Sequence, residues 1–158
     1  METNKLELLK QSIECKWRVQ SFSKHKAQGQ CVAYIDARDV MDILDKVVGA
    51  DNWQDDYKLI DGKLLAGIGI RTGNNDWVWK WDTGTESNME AEKGQMSDAF
   101  KRAGVKWGIG RFLYDMDIQY ITANELKTST NFPYPVDING TRIWDLTKHI
   151  NKTYSKKI

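Results

Sequence analysis

Apolar and polar positions along this chain repeat with two different periods, and each change of period marks an element. Between Asn4 and Ile13, Leu6, Leu9 and Ile13 recur at i, i+3 and i+7, while Asn4 and Glu7 have capping-box spacing. This predicts a short amphipathic helix. From Trp17 the period falls to two. Trp17, Val19, Ser21 and Ser23 interleave with Arg18, Gln20, Phe22 and Lys24, and Cys31 to Ile35 is again strand-like. The expected structure is a β-hairpin turning at Gly29-Gln30. Asp36 then offers an N-cap, Val40, Ile43, Leu44, Val47 and Val48 repeat at helical spacing, and Gly49 supplies a C-terminal stop.

From Trp53 the alternation returns. Trp53 to Ile60, Leu64 to Arg71 and Trp77 to Asp82 are separated by Asp61-Gly62 and by Thr72-Gly73-Asn74-Asn75. Asp-Gly supplies the positive φ angles of a tight hairpin, so the pattern predicts a three-stranded antiparallel meander with Trp77, Trp79 and Trp81 on one face. Ser87 and Glu90 form a second capping-box signature. It opens a long helix through about Trp107 with an apolar arc of Met96, Ala99, Phe100, Ala103 and Trp107. Lys93, Lys101 and Arg102 fall outside that arc. Residues from about Thr122 to Gly140 are polar, contain Pro133 and Pro135, and read as a loop or linker. Arg142 to Ile158 reads as a final amphipathic helix on Ile143, Leu146, Ile150 and Tyr154, with Lys148, Lys152, Lys156 and Lys157 alongside. The expected fold is α+β: an antiparallel sheet, formed by a hairpin plus a three-stranded meander, packed against a long helix. Residues 1–121 form the expected core domain and 122–158 a linker and basic C-terminal helix. A hydrophobic seam on both sides of such a sheet would favour self-association.

With 158 residues the chain suits one domain with a real hydrophobic core. No apolar run approaches the roughly 20 residues of a membrane-spanning helix, and Met1 to Lys5 lack the pattern of a secretion signal. The expectation is a cytoplasmic or nucleoid-associated protein with no membrane partner. Cys15 and Cys31 are not in C-x-x-C spacing and have no histidine cluster near them, which predicts reduced structural thiols and no metal site. The formal net charge of +1 does not advertise a nucleic-acid partner. The distribution does more. No acidic residue stands between Cys15 and Tyr34, few follow Trp144, and basic residues gather in both stretches and at Lys101, Arg102 and Lys106. Gly67-Ile68-Gly69 and Gly108-Ile109-Gly110 lack the Gly-Lys-Ser/Thr that follows in a phosphate-binding loop, so ATP is not an expected cofactor.

Three stretches carry a family likeness. Tyr34 to Val40, Val48-Gly49 with Asn52-Trp53, and above all Ser97 to Tyr114, with Asp-Ala-Phe-Lys-Arg-Ala followed by Trp-Gly-Ile-Gly, resemble the single-strand annealing superfamily. That group contains the eukaryotic Rad-fifty-two recombination mediator, bacterial DdrA repair proteins and phage Sak recombinases. The likeness runs from about Trp17 to Tyr114. It implies a β-β-β-α core whose subunits close into a ring, or a helical filament, around which single-stranded DNA lies in a basic groove. The implied activity is ATP-independent annealing of complementary strands in recombination and repair, with no catalytic centre and no cofactor. The strand, the annealing duplex intermediate, further copies of the chain and a host single-strand-binding protein are the implied partners. Carried over by position, Lys101 and Arg102 line an inner phosphate track together with Lys24. Lys93 matches an outer, duplex-related site, and Tyr34 and Arg38 flank the track. Where eukaryotic members have a basic residue after the glycine, this chain has Val105, and the charge sits at Lys106 instead. The short length, without a long mediator tail, points to a phage or prophage source.

Two rival readings come from other classes. Asp55, Asp56 and Asp61-x-Lys63 can be written as the carboxylates and lysine of a magnesium-dependent nuclease. Alternatively, the chain is a non-catalytic scaffold for repair factors and its basic track is incidental. Trp77, Trp79 and Trp81 suit sheet packing better than base stacking.

Overall fold

Asp36, ahead of an apolar repeat at helical spacing, does cap a helix. In the computed structural model, which describes residues 5–85 and 91–154 with the side chains of residues 91–93 excepted, α1 spans Ala37–Val48. The Asp36 carboxylate accepts from the Asp39 N–H at 3.0 Å and the Asp39 carboxylate accepts from the Asp36 N–H at 2.9 Å. That reciprocal pair satisfies two donors that a helix start otherwise leaves open. Val40, Ile43, Leu44 and Val48 form its buried stripe.

The meander follows as expected: β3 (Trp53–Ile60), β4 (Lys63–Arg71) and β5 (Trp77–Thr83) pair antiparallel in that order. Asp61 and Gly62, at φ 51° and 76°, make the tight turn between the first two. Trp53 pairs with Ile70 and Asp55 with Ile68, so these residues share one face. Helix α2 (Ala91–Lys106) covers it. The Phe100 ring lies 6.3 Å from that of Trp53, and the Trp107 indole N–H donates to the Ile68 carbonyl at 2.9 Å. Ala99, Phe100, Ala103 and Trp107 are buried, but Met96, expected in the same arc, is exposed. The Ser87-x-x-Glu90 signature lies outside the described residues. On the opposite face Trp81 pairs with Gly67 and Trp79 with Gly69. A methyl group at either glycine would come within 2.6 Å of the facing indole, so the rings rest directly on bare backbone. The Lys58 ammonium lies 4.3 Å from the Trp81 ring and the Arg71 guanidinium 5.5 Å from Trp77.

The chain divides into two compact units, Met1–Ile13 with Ile35–Phe112, and Glu14–Tyr34 with Leu113–Ile158. The first holds α1, the meander and α2. The second is built on a three-stranded antiparallel sheet in the order β1 (Lys16–Phe22), β2 (Gln28–Tyr34), β6 (Gln119–Thr122). Short helix α3 (Leu146–Asn151) packs on β1. There the Trp17 indole donates to Asn151 at 2.9 Å and its ring lies 5.0 Å from that of Tyr154.

Three sequence expectations are corrected. The segment expected as a helix from Asn4 to Ile13 is a 3-10 turn over Lys5–Lys10 that buries only Leu9 fully; so short an apolar stripe does not offset the cost of nucleating an α-helix. The hairpin does not turn at Gly29-Gln30. Gly29 lies in β2 opposite Phe22, and the loop is residues 23–27, where the Ser23 hydroxyl accepts from the His25 and Lys26 N–H groups at 3.1 and 3.3 Å. The last helix starts at Leu146 and not at Arg142. Asp145 caps it through the Lys148 N–H at 3.0 Å, while Arg142 is held in extended backbone by a bridge to Val136. Residues 155–158 lie outside the described set. Among the described residues no helix is long and apolar enough to cross a membrane.

Candidate nucleic-acid interface

The first unit carries most of the cations singled out in the sequence. Helix α2 spends its apolar side on the meander, so its remaining positions point along the two flanks. Lys101 is half-buried on one flank, where its ammonium donates to the Ile35 carbonyl at 3.4 Å, at the start of α1. Arg38, exposed in the first turn of α1, stands three residues further on. Arg102 is exposed on the other flank, 3.8 Å from the Asp82 carboxylate on β5. A pair this exposed contributes no more than about 1 kcal/mol, so the guanidinium is available to exchange Asp82 for a phosphate. The Lys101 ammonium has three donors and, among the described residues, makes one long bond. Lys93 lies on α2 with its side chain outside the described residues.

Lys106 is held differently. Its ammonium donates to the Trp81 carbonyl on β5, and its own carbonyl accepts from Lys80 at 3.3 Å and from Arg111 at 3.0 Å. Arg111 also reaches the Val105 carbonyl at 2.8 Å. Lys80 and Arg111 thus close the carbonyl end of α2, where the helix dipole favours positive charge. Neither stood out in the sequence, because their partners are carbonyls whose exposure depends on where the helix stops.

The second unit holds Lys24 and Tyr34. Lys24 is exposed in the loop between β1 and β2. Tyr34 closes β2, half-buried, with the Arg18 guanidinium 5.7 Å from its ring. Beside the loop an open polar groove of about 480 Å³ is lined by Ser21, Ser23, Lys26, Gln28, Gln30 and Tyr120. Tyr120 enters because β6 pairs with β2; sequence order gave no sign of that neighbour.

A model of the Rad52/22 family double-strand break repair protein matches residues 2–132. The chain belongs to the Rad52/22 family. The match takes in both sheets, α1 and α2, and stops before Pro133. Among curated relatives, the single-stranded DNA-binding protein DdrA of Deinococcus deserti is 34% identical over 113 residues, covering 70% of this chain and 55% of the relative. DdrA of Deinococcus radiodurans is 34% identical over 106 residues, covering 66% and 50%. The chain therefore spans about half the length of these relatives.

The residues of the nuclease reading are not gathered into one cluster. Asp55 and Asp56 are neighbours on β3, so their carboxylates leave opposite faces of the sheet. Asp61 and Lys63 flank the hairpin turn. Among the described residues no three His, Cys, Asp or Glu stand together as metal ligands. Both cysteines are buried thiols. Burial pushes Cys31 up to about 11 and moves Cys15 in the same direction, which leaves the thiols protonated at neutral pH.

Proposed function

We propose that this chain binds single-stranded DNA along a basic groove of an oligomeric ring or helical filament and anneals complementary strands during recombination and repair. A protein that must hold any sequence needs phosphate contacts and has to leave base edges free for a second strand. Lys101 and Arg102 supply those contacts, joined by Lys24, with Lys106 as a further contact at the groove wall, Lys93 at an outer, duplex-related site, and Tyr34 and Arg38 orienting the track. Base pairing drives the annealing, so neither ATP nor a metal is consumed. Residues 1–121 act as the annealing core and 122–158 as an accessory segment. A host single-strand-binding protein is a further proposed partner.

The observation that supports this reading most directly is the pair Lys101 and Arg102 on the flanks of α2, inside the Rad52/22 family match. The test is to mix complementary labelled oligonucleotides with the full chain in chelator and without nucleotide. Faster duplex formation with both strands intact is expected. Unaccelerated pairing would overturn the reading, and strand loss in a parallel reaction that holds magnesium in place of chelator would replace it with the nuclease.

A further inference from the structure

The segment beyond the family match folds into a small aromatic and basic cluster of its own within the second unit. Val136 is buried and bridges antiparallel to Arg142. The intervening turn is fixed by the Asp137 carboxylate, which accepts from the Asn139 and Thr141 N–H groups at 2.9 Å each. The Ile143 N–H donates to the Pro135 carbonyl at 2.9 Å. This register brings Tyr134 opposite Trp144, with Arg142 alongside both. The Arg142 guanidinium lies 4.4 Å from the Tyr134 ring centroid and 3.8 Å from that of Trp144. The arrangement is an aromatic pair already filled by the chain's own cation.

Trp144 is nonetheless 80% exposed. With the guanidinium over one π-face, that exposure requires the other face to be open. A single exposed apolar side chain is ordinary; an indole braced from behind by a cation, on hydrogen-bonded backbone, is a presented surface. Just ahead of this segment, at the end of the family match, stands a second ring of this kind, Phe132, 88% exposed with the Lys127 ammonium 5.4 Å from its centroid. The local charge agrees. Residues 123–158 hold six Lys and Arg against three Asp and Glu, a formal +3, while the whole chain carries +1. Trp79 and Trp81 lack this arrangement, because one face of each ring is taken by Gly69 or Gly67 beneath it and Lys58 lies over Trp81.

From this geometry we infer that Trp144, braced by Arg142, is a stacking platform for a nucleobase of an unpaired strand, separate from the contacts on α2. An open indole face takes any base, because every base has a π-face, and the guanidinium behind it holds the ring in place. A cationic ligand is disfavoured, since Arg142 already fills the space between the rings. The inference rests on the single-strand-binding reading above.

The test uses the full chain with a fluorescent oligothymidine and a matching oligonucleotide of abasic residues, which keeps the phosphates and removes the rings. Trp144→Ala should weaken binding to the base-bearing strand roughly 5- to 150-fold. It should leave the abasic strand and the salt dependence unchanged, because no phosphate contact is lost. Trp144→Phe should recover part of the loss, and circular dichroism should show the fold intact. Equal affinity of Trp144→Ala and wild type for the base-bearing strand overturns the platform and leaves this face to a protein partner. Equal losses on both strands overturn it in favour of an electrostatic or structural effect. If the wild-type chain binds neither strand, the single-strand-binding reading falls and takes the platform with it; if only the variant comparison fails, that reading stands.

Discussion

Cys31 sits in β2 with none of its surface accessible, and a thiolate there would lose its hydration with nothing to replace it. Its pKa accordingly rises from 9.0 to about 11. An unfolded chain ionises this thiol near 9 and the folded chain only near 11, so between those values the unfolded state binds fewer protons. Stability is therefore full below about pH 9 and falls as pH rises toward about 11, with a loss from this one group of about 2 to 3 kcal/mol. Denaturation midpoints across that window should decline in the wild-type chain and decline less steeply in Cys31→Ala. Equal slopes would mean that other groups, such as Tyr57, whose pKa is raised by burial and then by Asp55, govern the alkaline limb. Lys101 and Lys106 show the same dependence on surroundings for charge. Both lie outside the buried stripe of α2, yet one ammonium makes a single long bond to Ile35 and the other is tied to β5.

The elements that the sequence predicts well are those whose local signals and tertiary setting agree. The Asp36 capping box, the apolar repeat of α1 and the Asp-Gly turn each act within a few residues. Asp36→Ala removes a reciprocal cap and should cost about 0.5 to 2 kcal/mol in a urea titration, while Asp36→Asn should recover most of it. An unchanged midpoint would show that packing alone holds the start of α1. Where contacts distant in sequence decide, the periodic pattern misleads. Gly29 has the composition of a turn but is needed in β2 because Phe22 lies across from it, with ring atoms 3.1 Å from where a Cβ would stand. Arg142 and Ile143 continue a helical repeat, yet the bridge to Val136 and the Pro135 carbonyl hold them extended. The candidate site divides in the same way. The outward placement of Lys101 and Arg102 follows from helical geometry alone, whereas the groove at Tyr120 depends on β6 returning to β2 across most of the chain.

At the scale of the whole molecule, a formal charge of +1 gives no general attraction to a polyanion, so affinity has to come from where the cations stand. In the proposed reading of this Rad52/22 family member those cations are Lys101 and Arg102 on the flanks of α2, and a proposed oligomer would repeat their modest contribution in each copy. The central claim is thus that Lys101 and Arg102 hold the sugar-phosphate chain. It is tested most directly by titrating a fluorescent single strand at several salt concentrations with the wild-type chain and with Lys101→Ala/Arg102→Ala. Among the described residues these two side chains make an exposed ion pair and one long hydrogen bond, so the variant should fold. The account predicts weaker binding to every sequence alike and a salt slope reduced by about one for each lost phosphate contact; a folded variant with the wild-type affinity and slope would contradict it.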